Sequence, residues 1–158
     1  MRIGSLLALA LMVLAACGGP AAGRDPVSTV QGIYTPYEAH AANPPALQDA
    51  APWTSDLRAL IVAAKDVDGG IGFDPVIDGQ DYDLSALAVT AQAPPSGGKA
   101  TVEASFTNLG DPVTVTYDLV EVGGGWRVDD VRTAEWTLRG ALAGIGLTPA
   151  RLQEEAAK

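Results

Sequence analysis

The sequence predicts an α+β domain in which N-terminal helices and a short C-terminal helix pack on a curved antiparallel β-meander. Three observations carry this prediction. Apolar residues recur at helical spacing as far as Ala64, they change to strict alternation from Leu87 onward, and Gly- or Pro-rich turns separate the alternating runs at hairpin distances. Strands that follow one another directly, with the helices segregated to either end of the chain, belong to an α+β arrangement rather than to a parallel α/β sheet.

The first helix opens at Asp25-Pro26, an N-cap followed by proline at the first helical position, and Val27, Val30, Ile33, Tyr34 and Tyr37 form its apolar stripe. Pro36 removes a hydrogen bond donor inside that pattern, which predicts a kink near Gly32 or an end near Tyr34 with a restart. Residues 41 to 52, rich in Ala, Asn and Pro, are expected to be loop. A second helix begins at Thr54 or Ser55, with Asp56 in the first turn and Leu57, Leu60, Ile61 and Ala64 on one face.

From Asp66 to Asp83 runs an acidic, Gly-rich connection without sustained period. Period two then appears in Leu87, Val89 and Ala91, in Val102, Ala104 and Phe106, in Val113, Val115, Tyr117 and Leu119, and in Trp126 and Val128. The turns Pro94-Pro95-Ser96-Gly97-Gly98, Asn108-Leu109-Gly110-Asp111 and Gly123-Gly124-Gly125 make four strands in a meander the simplest topology. Asp129-Asp130 breaks the alternation, which predicts a bulge or the sheet end, with Arg127 and Arg132 as charge partners. Thr137 caps a short helix carrying Leu138, Ala141, Leu142 and Ile145, and Thr148-Pro149 starts a polar C-terminal tail or short helix over residues 148–158.

Ahead of this domain, expected over residues 27–147, stands a segment of different character. Arg2, the apolar run Ile3 to Val13 and then Leu14-Ala15-Ala16-Cys17 reproduce the three parts of a bacterial lipoprotein signal, ending in the lipobox cysteine. The apolar run is too short for the roughly 20 residues of a membrane-spanning helix. Gly18, Gly19, Pro20 and Gly23 would end any helix at once. The expectation is removal of residues 1–16, a diacylglyceryl thioether on the Cys17 sulfur and an acyl group on its amine, with residues 17–26 as a flexible tether. Several acyl chains, at about 0.8 kcal/mol per buried CH2, anchor stably where one chain binds only marginally. Gly18 stands where an Asp would mark inner-membrane retention, so the expected location is the periplasmic face of the outer membrane.

Composition narrows the partners. Cys17 is the sole cysteine, so neither a disulfide nor a cysteine-based metal cluster supports the fold. A formal charge of −9 disfavours nucleic acid. The expected partners are the membrane, through the anchor, and an envelope protein or small ligand. No cofactor is implied.

Several segments together resemble the DUF3828 family of bacterial envelope proteins, many of them lipoproteins, of the NTF2-like cone fold. They are Ile33-Tyr34-x-Pro36-Tyr37, Pro52-Trp53-Thr54-x-x-Leu57-Arg58-Ala59-Leu60, Phe73-Asp74-Pro75 with Gly79-Gln80-Asp81-x-Asp83-Leu84, Thr116-Tyr117-Asp118-Leu119-Val120, Gly125-Trp126-Arg127-Val128-Asp129-Asp130-Val131, and Trp136-x-Leu138-Arg139-x-x-Leu142. The resemblance covers most of residues 27 to 145 and implies helices lining a conical sheet with a central cavity. It brings no established activity.

Enzymes of the NTF2-like fold place a carboxylate, histidine or tyrosine on inward strand positions, where burial makes a useful base. Here the inward phase is Val102, Ala104, Phe106, Val113, Val115 and Leu119, with Tyr117 its one polar tip, and the other phase reads as a solvated face. His40, the single histidine, belongs to no recognisable triad. No catalytic residue is assigned, and the chain is expected not to be an enzyme. Most of Tyr34, Tyr37, Trp53, Phe73, Trp126 and Trp136 should be core, and Tyr37, Trp53 and Tyr82 are the candidates for a ligand-binding cone mouth. The alternative is a metal-assisted or acid-base enzyme that uses Asp74, Asp78, Asp81 and Asp83 as hard oxygen ligands. An EF-hand is excluded, since Gly70, Ile71 and Ile77 would occupy positions that need an acidic residue, the turn glycine and the bidentate Glu when Asp66 is taken as the first. The simpler reading of the carboxylates is a set of Asx-turns at Asp74-Pro75, Asp78-Gly79 and Asp83 that fix the loop against the sheet edge.

Overall fold

The computed structural model describes residues 25–39 and 44–157. Residues 1–16, Cys17, the tether as far as Arg24, and His40 lie outside the described residues. Helix α1 (Pro26–Glu38) begins where the Asp-Pro signal places it: the Asp25 carboxylate accepts the Ser28 N–H at 2.8 Å. It runs unbroken through Pro36, so the expected end and restart near Tyr34 does not occur. Pro36 stands only two residues from the helix end, and Tyr37, just beyond it, is buried and hydrogen-bonded to another segment. Tertiary packing here outweighs the lost backbone bond.

The segment expected to be loop contains a single turn, α2 (Leu47–Ala50). Its exposed carbonyls find donors from outside: Trp53 Nε1 reaches Leu47 O at 2.7 Å and Arg58 Nε reaches Gln48 O at 3.2 Å. Helix α3 (Ser55–Ala64) buries Leu57, Leu60, Ile61 and Ala64, the stripe read from its sequence. Helices α4 (Leu138–Gly144) and α5 (Pro149–Ala156) start at the Thr137 and Thr148 caps, whose hydroxyls accept from Gly140 N and Arg151 N. The C-terminal segment is therefore a helix, although it buries no residue fully.

Strands β1 (Leu84–Ala91), β2 (Lys99–Asn108), β3 (Asp111–Val122) and β4 (Gly125–Arg132) form one antiparallel sheet in sequential order. The chain is an α+β domain with a meander, as its pattern requires. The β2–β3 turn holds Leu109 at φ 52° and Gly110 at φ 95°, the positive pair that a two-residue hairpin favours. Two bulges shape the sheet. One lies between Ser85 and Ala88, where Ala86 sits at φ 56°; the other leaves Asp129 without a partner between Val128 and Asp130. The break read at Asp129-Asp130 is thus a bulge within β4.

The inner face of the sheet carries Val102, Ala104, Phe106, Val115, Tyr117 and Leu119, all buried against the helices. The connection from residue 66 to 83 contributes more to this core than its polarity predicts. Val76 and Ile77 are 0% and 1% exposed. The two edges of the sheet differ: Thr54 N donates to Val128 O and Val128 N to Pro52 O, so residues 52–54 close the outer edge of β4.

Candidate functional site

Two tyrosines from α1 and one from β3 meet in the core, because the buried stripe of the helix lies on the inward phase of the sheet. Tyr117 donates its O–H to the Tyr34 hydroxyl at 2.9 Å, and Tyr34 donates onward to Val76 O at 3.0 Å. One turn along α1, Tyr37 donates to Asp74 Oδ2 at 2.6 Å, while Asp74 Oδ1 accepts the Val76 N–H at 2.9 Å. The ring of Tyr34 packs on Phe106, Tyr37 and Tyr117 with centroids 5.4, 6.3 and 6.2 Å away. Helix, connection and strand are thereby joined by one polar seam inside an aromatic cluster.

Burial pushes the ionisation of Tyr34, Tyr37 and Tyr117 far above the ordinary tyrosine range, and the Asp74 charge raises Tyr37 further. All three stay neutral donors at any physiological pH. Burial also raises the Asp74 carboxyl, against the opposing bonds from Tyr37 and the Val76 N–H. Among the described residues, no buried side-chain nitrogen or oxygen lacks a hydrogen bond partner.

The ligand candidates Tyr37, Trp53 and Tyr82 do not line one mouth. Tyr37 and Tyr82 pack edge to face at 5.2 Å. Trp53 stands at the β4 edge, bonded to Leu47 O. Tyr37 and Trp53 are 0% and 4% exposed, and both polar tips already bind protein atoms. Of the other aromatic residues, Tyr34 and Trp126 are buried, and Phe73 and Trp136 are half-buried in mutual contact.

The four carboxylates of the metal alternative also separate. Asp74 turns inward to Tyr37, Asp78 accepts the Trp136 indole N–H at 2.8 Å, and the Asp81 carbonyl and Asp83 N–H are both held by the Asn108 side chain. Among the described residues, no three His, Cys, Asp or Glu side chains come together as a metal site. This corrects the shared ligand set. The Asx-turn holds for Asp74, whereas Asp78, at φ 52°, serves Trp136 instead.

Two features escaped the sequence. The apolar pair Val76-Ile77 inside a polar run was the available sign that this loop docks in the core. Asn108, read only as a turn residue, is 7% exposed and clips the loop through Asp83 N, Asp81 O and Ile77 O. The charge partners near the β4 bulge also differ from expectation. Arg139, not Arg127, binds Asp129 at 2.7 Å, and Arg132 binds Asp118 at 2.9 Å.

The surface around the turn after β4 holds open space. A groove of about 530 Å³ is lined by Asp78, Pro112, Val113, Thr114, Thr116, Arg132 and the turn Thr133–Glu135. A second hollow of about 430 Å³ lies on the other side of that turn, against Trp136, Thr137, Gly140 and Ala141. Hydroxyls, one guanidinium, two carboxylates and an indole edge thus border one surface region, a donor and acceptor set suited to a small polar ligand. Among the described residues, no helix is long and apolar enough to cross a membrane.

No protein-family profile matches the chain, and no curated protein matches it. A solved phospholipid-binding protein from Ralstonia solanacearum, in complex with a phospholipid, aligns over 82% of this chain and 75% of its own, with 14% identity and a TM-score of 0.36. A likeness of that size carries neither fold nor ligand across to this chain.

Proposed function

We propose that this protein is a non-catalytic lipoprotein of the bacterial envelope, anchored through Cys17, whose NTF2-like domain of DUF3828 type holds a small ligand or partner protein at its surface. The anchor rests on one observation: Leu14-Ala15-Ala16-Cys17 follows a short apolar run and places the sole cysteine at the lipobox position. The family reading rests on the residue pattern together with α1 crossing a four-stranded meander on its inner face. A binding role fits the interior, where the tyrosine tips and Asp74 are satisfied by one another rather than aimed at open space. The reading favours the groove beside Thr133–Trp136 over Tyr37 and Trp53, which are buried.

Fractionation of bacterial membranes tests the proposal. The wild-type chain is expected in the outer-membrane fraction, and Cys17→Ala is expected to lose that location. Equal membrane content of the two proteins would refute anchoring at Cys17.

A further inference from the structure

We infer that the free edge of β1 pairs with the same edge of a second copy of this chain, about a two-fold axis beside Thr90. The β4 edge is closed by Pro52–Thr54, and among the described residues no backbone group pairs with the outer side of β1, so the sheet has one end at which to grow.

Register decides which groups are offered. Gln92 N donates to Thr101 O at 2.9 Å, so Gln92, Thr90 and Ala88, facing Thr101, Glu103 and Ser105, spend their backbone groups on β2. The N–H and C=O of Val89 and Ala91 therefore point away from the sheet. In an antiparallel pair centred on Thr90, Val89 of each copy stands opposite Ala91 of the other, and the two residues exchange both hydrogen bonds on each side of the axis.

Two observations favour a second copy over a different strand. The regular edge is short, running from Ala88 after the bulge at Ala86 to the strand end at Ala91, and its two outward-facing residues are Val89 and Ala91; an axis beside Thr90 places these two on each other, so self-pairing in this register uses every outward group of the regular edge. No charged residue occurs from Leu84 to Gly98, so two chains of net charge −9 meet here without local repulsion. In this register Thr90 falls at a non-hydrogen-bonded position of the new pair. Its two copies would approach to about 4.5 Å between Cα atoms.

That proximity is testable by disulfide formation in the full chain, purified in detergent with Cys17→Ser so that the introduced cysteine is the sole one. Thr90→Cys places two sulfurs within bonding range, whereas Ala88→Cys leaves them about 13 Å apart along the strands. Thr90→Cys is expected to form a linked dimer on mild oxidation about tenfold faster than Ala88→Cys. Ala91→Pro deletes an outward N–H at an edge that tolerates proline. It should abolish the Thr90→Cys link and halve the sedimenting protein mass while leaving the circular dichroism spectrum unchanged. Equal linking at positions 88 and 90, absence of the position-90 link, or its survival in Ala91→Pro would each overturn the pairing.

Discussion

The two faces of the sheet use carboxylates in opposite ways. On the inner side the half-buried Asp74 accepts one neutral phenol and one backbone N–H, and its bonds tie the connection to α1. Away from it, Asp118 on the outer face and Asp129 in the bulge of edge strand β4 take Arg132 and Arg139 as partners, with side chains 30 to 44% exposed. The inner bonds cost more to break because partial burial limits the water that could replace a lost partner, while water stands ready for the outer ones. Rigidity therefore belongs to the inner face. The outer face keeps the groups a ligand could use.

The largest effect should come from Tyr37→Phe, which leaves the half-buried Asp74 Oδ2 without its phenol donor. We expect a loss of about 1–3 kcal/mol in urea unfolding. A loss below about 0.5 kcal/mol, the size of an ordinary surface substitution, would remove the contrast between the faces.

A second effect of similar origin is the pH dependence. Asp74 and Asp130 titrate higher in the folded protein than in the unfolded chain, chiefly because burial disfavours their charged forms. The folded state then binds more protons than the unfolded one in the window just above the ordinary carboxylate range, so their contribution to stability falls as pH rises through it. Denaturation of wild type and Asp74→Asn across pH 4 to 7 should show a shallower decline in the variant. Parallel curves would remove Asp74 from the explanation.

Smaller changes are expected outside. Arg139 binds Asp129 through its guanidinium and also the Asp129 carbonyl, so Arg139→Ala should cost about 1–2 kcal/mol. Arg132, paired with Asp118 at a more exposed position, should cost under about 1 kcal/mol when replaced by Ala. The order Tyr37, Arg139, Arg132 sharpens the comparison, since it follows burial rather than charge. Thermal melts of the three variants in 0.5 M salt provide the check: screening should shrink the Arg132 effect most and the Tyr37 effect least.

Much of the fold was legible because period is a local property. The stripes of α1 and α3, the Thr137 cap and the three hairpin turns each needed only neighbouring residues. Non-local partners were not visible in this way. Turn α2 depends on Trp53 and Arg58 to hold its carbonyls, α1 passes Pro36 because Tyr37 is secured by Asp74, and Asn108 acts on residues far back in the chain. The partners within the candidate site are non-local in the same way. Tyr37 belongs to the ligand expectation and Asp74 to the metal alternative, and the structure bonds the two to each other.

The measurement that bears most directly on the account is intact-mass and N-terminal peptide mass spectrometry of the mature protein from bacterial membranes. The proposal predicts a chain that begins at Cys17, with a diacylglyceryl group on sulfur and an acyl group on the amine. A mature chain carrying an unmodified Cys17 thiol would contradict it.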